Sequence, residues 1–272
     1  MTGASSYTIP ATLTITGNAT VVNAGTATLT SAMRVVGDAS YTGTGAVVNT
    51  GTIAGDASFA GTSANRGTIF GDASFAGTAV NSGTVLGAGV FAGSAENQAP
   101  GVIVGVGSFA DSSSNSGTVA GAATFAGTST NSGTVAGDAT FAGTSTNSGT
   151  VSSGATFAGT STNSGVVVGG GTFSQSSENL SGGLVIGNAA FSGDGTNAGA
   201  VNGDATFAGT STNSGTVGGE GSFADTSTNS GTASSTDDPT VNARSVGLPK
   251  RYAATEPNTT PNRVASSRPG TR

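Results

Sequence analysis

The sequence repeats a 16-residue unit along most of its length, and this period constrains the fold more than any other feature. The segment GDATFAGTSTNSGTV occupies residues 137–151 and recurs unchanged at residues 203–217. A residue that returns at a fixed spacing takes an equivalent place in each unit, and such units stack because one unit alone cannot bury its apolar side. The period therefore predicts a chain that grows as a column.

An aromatic residue and an asparagine both keep this period. The spacing between successive aromatics is 16 in eight steps and 18 in three, and an Asn stands six positions after each of eleven Phe. We therefore predict a structural ladder in which Phe lies over Phe and Asn over Asn. The predicted Phe column is Phe59, Phe75, Phe91, Phe109, Phe125, Phe141, Phe157, Phe173, Phe191, Phe207 and Phe223, and the Asn column includes Asn131, Asn147 and Asn163.

The composition of the unit favours strands over helix. The chain has 47 Gly among 272 residues, and its frequent Ser and Thr also disfavour helix. Ala139 and Phe141 lie on one side of a predicted strand and Thr140 on the other. Asn147 followed by Gly149 predicts a tight bend with left-handed backbone. Each unit is therefore read as strand, bend, strand, bend.

These patterns predict an all-β fold, a β-solenoid (β-helix) of about 12 coils, each a 16- to 18-residue repeat, followed by an irregular C-terminal arm. The predicted organisation is an N-terminal cap segment at 1–16, the solenoid at 17–234 and the arm at 235–272. At about 4.8 Å per coil the rod would be roughly 58 Å long. The two-residue insertions are expected to bulge outward at bends. Because apolar burial in one narrow coil does not offset its conformational entropy, we favour a homotrimer.

The C-terminal arm differs in composition from the rest. Residues 1–234 contain two basic and eleven acidic residues, whereas residues 235–272 contain six basic and three acidic residues. Four prolines fall within the segment 245–272. The arm is predicted either to be a solvated terminus or to anchor the rod on an acidic partner. The predicted anchor residues are Leu248, Lys250, Arg251, Tyr252, Arg263 and Arg268.

The composition argues against an enzyme and against a bound cofactor. Cys and His are both absent, which removes disulfides, thiolate metal sites and the commonest general base. Glu96 and Glu178 are five coils apart, about 24 Å on the coil rise, so they cannot act as a carboxylate pair in one chain. We predict no catalytic residue, no cofactor and no metal site.

Two repeated polar patterns leave alternatives open. Asp38, Asp56 and Asp72 occupy successive coils and could hold Ca²⁺, although Ala88, Val106, Ala122 and Gly154 interrupt this column. Solvated edge charges are the favoured interpretation. Thr-Ser-Thr triplets resemble the threonine ranks of insect ice-binding proteins, but residues such as Glu96 and Glu178 break these ranks. The triplets begin at Thr128, Thr144, Thr160, Thr210 and Thr226.

The repeat G-[DN]-A-[TS]-F-x-G-T-S-x-N-x-G-T-V resembles the short, Asn- and Gly-punctuated solenoid repeats of marine bacteriophage structural proteins and bacterial surface adhesins. The resemblance covers residues 17 to about 234. It implies a virion structural protein, a fibre, spike or capsid decoration with no catalytic residues. Expected partners are other virion proteins through the arm and a host surface glycan or protein.

The acidic rod argues against nucleic-acid binding. The N-terminal stretch 1–20 does not read as a signal peptide, and no apolar run is long enough to insert in a membrane. We therefore expect a virion location after assembly in the host cytoplasm. The open alternatives are a cell-surface adhesin and an ice-binding protein.

Overall fold

Three short strands make up each coil. The computed structural model describes residues 7–8, 14–22, 27–29, 34–42 and 46–235, and these ranges contain no helix. One coil contains Thr134–Val135, Ala139–Phe141 and Thr146–Asn147. The predicted all-β solenoid is confirmed, with about 13 turns. The predicted two strands per coil were wrong, because the chain turns at three places and a short straight run lies between each pair of turns.

The three strands of each coil build three parallel ladders, because each strand pairs with its equivalents in the coils before and after it. The register places like residues opposite each other, as in Phe125 with Phe141 and Asn131 with Asn147. Backbone groups are therefore paired along the rod axis. We name these ladders by the residue that each buries.

The Asn ladder forms a sheet of 14 strands. Its members are Tyr7–Thr8, Ala27–Leu29, Val47–Asn49, Ala64–Asn65, Val80–Asn81, Glu96–Asn97, Ser114–Asn115, Thr130–Asn131, Thr146–Asn147, Thr162–Asn163, Glu178–Asn179, Thr196–Asn197, Thr212–Asn213 and Thr228–Asn229.

The Val ladder follows the Asn ladder along each coil. Its members are Thr14–Ile15, Arg34–Val35, Thr52–Ile53, Thr68–Ile69, Thr84–Val85, Val102–Ile103, Thr118–Val119, Thr134–Val135, Thr150–Val151, Val166–Val167, Leu184–Val185, Ala200–Val201, Thr216–Phe223 and Thr232–Ser235.

The Phe ladder comes next in each coil and joins the Val ladder in one sheet, because the long strand Thr216–Phe223 belongs to both. Its other members are Ala19–Val22, Ala39–Thr42, Ala57–Phe59, Ala73–Phe75, Gly89–Phe91, Gly107–Phe109, Ala123–Phe125, Ala139–Phe141, Ala155–Phe157, Gly171–Phe173, Ala189–Phe191 and Ala205–Phe207.

The core is a column of stacked rings. Successive Phe rings, from Phe59 to Phe223, have centroids 4.7–5.0 Å apart and planes within 11° of each other. Tyr41 continues the column with its ring 4.7 Å from that of Phe59. The rings from Tyr41 to Phe207 are buried, together with the Val or Ile of their coils and the Ala that stands two residues before most of the rings. Apolar burial is therefore spread evenly along the rod.

The N-terminal strands join the same ladders. Tyr7–Thr8 pairs with Ala27–Leu29, and Thr14–Ile15 pairs with Arg34–Val35. Both strands lie inside the predicted cap segment 1–16. Residues 236–272 lie outside the described residues, and with them nearly all of the predicted arm.

The glycines at the turns serve two different purposes. Gly143, two residues after Phe141, has a φ of 73°, a left-handed conformation that favours glycine. Gly149 does not have a positive φ, so the predicted left-handed bend at Asn147–Gly149 was wrong. A Cβ at Gly149 would lie 2.1 Å from the carbonyl oxygen of Gly133 in the preceding coil. Gly149 is thus required because two coils approach closely there.

The insertions in two 18-residue coils lie at the turn between the Asn and Val ladders. Gln98, Ala99 and Pro100 are exposed in one coil, and Ser181 and Gly182 in the other. The pairing of Asn97 with Asn115 and of Asn179 with Asn197 is unaffected. The extra residues therefore bulge outward without shifting the register.

Replacing one ring of the Phe column should destabilise the rod strongly. We expect Phe141→Ala to lower the free energy of unfolding by about 3–5 kcal/mol, because it removes a buried ring and its two stacking contacts. Thr140→Ala, on the exposed side of the same strand, should change it by less than about 0.5 kcal/mol. Chemical denaturation followed by circular dichroism measures both. Equal effects of the two substitutions would contradict the ring column as the main source of stability.

Candidate functional site

A chain of side-chain amides runs through the Asn ladder. The Asn131 Nδ2 donates to the Asn147 Oδ1 at 2.8 Å, and the Asn147 Nδ2 donates to the Asn163 Oδ1 at 2.8 Å. The same bond continues without a gap from Asn49 to Asn229. The amides from Asn49 to Asn213 are buried. This chain satisfies polar groups that would otherwise be costly to bury, so its role is structural.

An acidic column follows one corner of the rod, at the turn between the Val and Phe ladders. We call the equivalent positions from Asn18 through Asp138 to Ser234 the corner column. Asp38, Asp56 and Asp72 occupy successive coils, and the Oδ1 of each accepts a hydrogen bond from the main-chain N–H of the next position. The predicted solvated edge charges are exposed, but each also caps the backbone of its neighbour.

Ser153 and the main-chain N–H of Gly154 both bond the Asp138 carboxylate. These two hydrogen bonds, that from Ser153 first, lower the pKa of Asp138 below its ordinary value. The carboxylates of this column do not converge on an ion site: the described residues contain no group of three or more Asp or Glu side chains placed to hold a metal.

The Thr-Ser-Thr triplets lie on the outward side of the turn before each Asn. Their middle Ser is buried, and the flanking Thr face outward. The first Thr of every triplet donates its hydroxyl to a main-chain carbonyl of the preceding coil. These donors are Thr128, Thr144, Thr160, Thr210 and Thr226. The triplets therefore reinforce the contact between coils.

Glu96 and Glu178 are half-buried on the Asn ladder and separated by five coils. The Glu96 Oε1 accepts a hydrogen bond from Ser116 at 2.7 Å. The structure does not bring the two carboxylates together. At the far end of the aromatic column, burial raises the pKa of Tyr41, and its hydroxyl has no hydrogen-bond partner among the described residues.

An exposed apolar patch was missed by sequence reasoning. Its members are Phe70, Leu86, Val90, Val104 and Val106, which we call the apolar corner. Phe70 and Val106 are 54% and 55% exposed, on a rod whose other outward residues are mostly Ser, Thr, Gly and Asp. Phe70 directly follows the buried Ile69. The signal was available in the sequence, because Phe70 is the one Phe that does not keep the 16-residue register.

Two shallow grooves run beside the corner column on the side of the Phe ladder. One, of about 390 Å³, extends from Asn18 past Asp38, Asp56 and Asp72 to Val90. The other, of about 610 Å³, lies between Asp138 and Asp204, where Gly154 and Gly170 leave the corner without side chains.

The predicted anchor residues, Leu248, Lys250, Arg251, Tyr252, Arg263 and Arg268, lie outside the described residues. Comparisons with protein-family models, with curated protein sequences and with solved structures found no match to this chain. Within the described ranges, no helical segment has the length and apolarity to cross a membrane.

Breaking the amide chain should cost stability without removing apolar burial. Asn131→Ala leaves the Asn115 Nδ2 and the Asn147 Oδ1 without their amide partners in a buried site. We expect a loss of about 1–3 kcal/mol of unfolding free energy for each orphaned group. Thr130→Ala, the exposed neighbour, should be nearly neutral. Denaturant titration of the two variants tests this, and a neutral Asn131→Ala would contradict a stabilising role for the amide chain.

Removing the Ser153 hydroxyl should change the pKa of Asp138. We expect Ser153→Ala to raise the pKa of Asp138 toward its ordinary value, and Ser152→Ala to leave it unchanged. A pH titration of the Asp138 carboxyl carbon by NMR measures both. Because the folded pKa is the lower one, the stabilisation is present above the unfolded pKa of about 4 and is lost as the pH falls through the folded value. An unchanged pKa in Ser153→Ala would rule out the hydroxyl as its cause.

Proposed function

We propose that this chain is a virion structural protein of a bacteriophage, a rod-like fibre, spike or capsid decoration. The observation that carries the proposal is the unbroken stack of coils, in which the ring and amide columns both run along the axis. Stacking many copies of a short repeat in this way produces a long and stiff rod. The repeat resembles those of phage structural proteins, which supports the virion setting.

The chemistry of the surface supports a structural role over catalysis. Asp carboxylates of the corner column and the first Thr hydroxyl of each triplet bond the backbone of neighbouring coils, and the buried Ser145 hydroxyl donates to the Phe125 carbonyl oxygen of the preceding coil. Glu96 and Glu178 are five coils apart. We accordingly propose contacts with other virion proteins through the C-terminal arm and with a host surface glycan or protein along the rod. We also propose a homotrimer.

Ice binding is a second candidate, and one observation favours it. Thr124, Thr140, Thr156 and Thr172 are exposed in four successive coils on the outward side of the Phe ladder. Their register repeats at the strand spacing of about 4.8 Å, which gives a regular row of hydroxyl and methyl groups. Measuring thermal hysteresis of the purified protein decides this candidate, and its absence would remove it.

The virion proposal predicts where the protein is found. Antibodies against the rod should label purified particles in electron microscopy as thin projections, about 62 Å long for 13 turns at 4.8 Å. Truncation after Thr236 should leave the rod folded and abolish its incorporation. Particles that lack the protein would overturn the virion role, whereas incorporation of the truncated rod would overturn only the anchor role of the arm.

A further inference from the structure

The apolar corner is a continuous surface made from three successive coils. Phe70, Leu86 and Val104 lie at equivalent positions directly after a buried Val-ladder residue, and Val106 and Val90 lie on the adjoining side of the turn. All five are between 39% and 55% exposed. Val36, Val168 and Ile186 are also exposed elsewhere on the described rod, but the apolar corner joins five such side chains, and a contiguous patch of this size is typical of a docking site.

The corner changes from apolar to acidic beside this patch. In the corner column, Ala88 and Val106 are preceded by Asp72, Asp56 and Asp38 in successive coils. These carboxylates bond main-chain N–H groups, and no ion pair joins them to a basic side chain within the described residues. The adjoining groove leads along the three carboxylates to Val90. A fitting occupant therefore carries apolar side chains beside a pair of positive charges.

One segment of the chain itself has this chemistry. Residues 248–252 read Leu-Pro-Lys-Arg-Tyr, so two cations are flanked by apolar side chains. The rod up to residue 234 has a net charge of −9 and the remainder of the chain +3. At physiological ionic strength the screening length is about 8 Å, so this attraction acts mainly on groups that are already close.

The described chain ends on the same corner of the rod. Ser234 pairs with Glu220, and the Glu220 N–H in turn bonds Asp204, so Ser234 belongs to the corner column. Eight coils, about 38 Å, separate Ser234 from Val106. Leu248 follows Ser234 by 14 residues, which span at most about 46–50 Å when extended. The groove between Asp204 and Asp138 lies on this path.

The chain after Ser234 is also long enough to reach Asp72, at the acidic end of the surface. Asp72 is ten coils from Ser234, about 48 Å. Arg251 follows Ser234 by 17 residues and can span about 56–61 Å. Leu248 can therefore reach Val106, and Arg251 can reach Asp72, without the intervening chain being fully extended.

We propose that residues 244–252 fold back along the corner of their own rod, with Leu248 and Tyr252 covering the apolar corner and Lys250 and Arg251 paired with Asp72 and Asp56. Residues 253–272, with Arg263 and Arg268, then remain to contact a partner. The inference is independent of the virion role, because it concerns one chain alone.

Engineered cysteines test the contact in the full chain, which has no Cys of its own. Leu86→Cys with Tyr252→Cys should form an intramolecular disulfide under mild oxidation at a rate independent of protein concentration. Ser94→Cys with Tyr252→Cys is the matched control, because Ser94 is exposed in the same coil but at another corner. We expect the first pair to cross-link at least ten times faster, as read by non-reducing gels and peptide mass spectrometry. Leu86 and Ser94 are both exposed, so neither substitution on the rod disturbs the core and both variants should fold.

Three results would each contradict a different part of the proposal. Equal rates for the two pairs would overturn docking at the apolar corner. Cross-links between chains, at rates that rise with concentration, would overturn folding back and identify a second copy as the occupant. Adding Lys250→Glu and Arg251→Glu to the first pair should slow its cross-linking at least threefold. An unchanged rate would overturn the proposed pairing with Asp56 and Asp72.

Discussion

The structure depends on the parallel backbone pairing between one coil and the next. This pairing fixes the rise of each coil at about 4.8 Å. The same rise lets the rings of adjacent coils stack and lets their Asn side chains form hydrogen bonds. Because the backbone rise, the ring spacing and the amide spacing coincide, a side chain that fits one coil also fits the next. A coil alone would leave its Phe, Val and Asn exposed, so its stability is shared with its neighbours.

The corners show how a narrow solenoid satisfies backbone groups where regular pairing is interrupted. Asp side chains cap N–H groups at one corner, and Thr hydroxyls bond carbonyls at another. Carboxylates and threonines that resemble metal or ice-binding ranks in the sequence thus have structural partners. The coils in which Ala88 and Val106 replace Asp lack this cap and instead carry an apolar surface. We regard this exchange as the strongest functional signal on the rod.

The two columns were predictable from the sequence, whereas much of the surface was not. The Phe and Asn positions were predictable because a fixed period gives each of them one environment, repeated many times. The third strand was not predictable, since such short strands show no alternation. Gly143 and Gly149 look alike in sequence, yet the first has a left-handed backbone and the second is required by the approach of Gly133.

The sequence by itself determined that this protein is a column of like-on-like coils, because the 16-residue spacing leaves no other way to bury its Phe and Val together. Only the tertiary structure decided which outward residues are neighbours. Phe70, Leu86 and Val104 are each one repeat apart along the chain and become adjacent when the coils stack. A surface formed across coils depends on the positions of the turns, and those are set by packing between coils, not by the period alone.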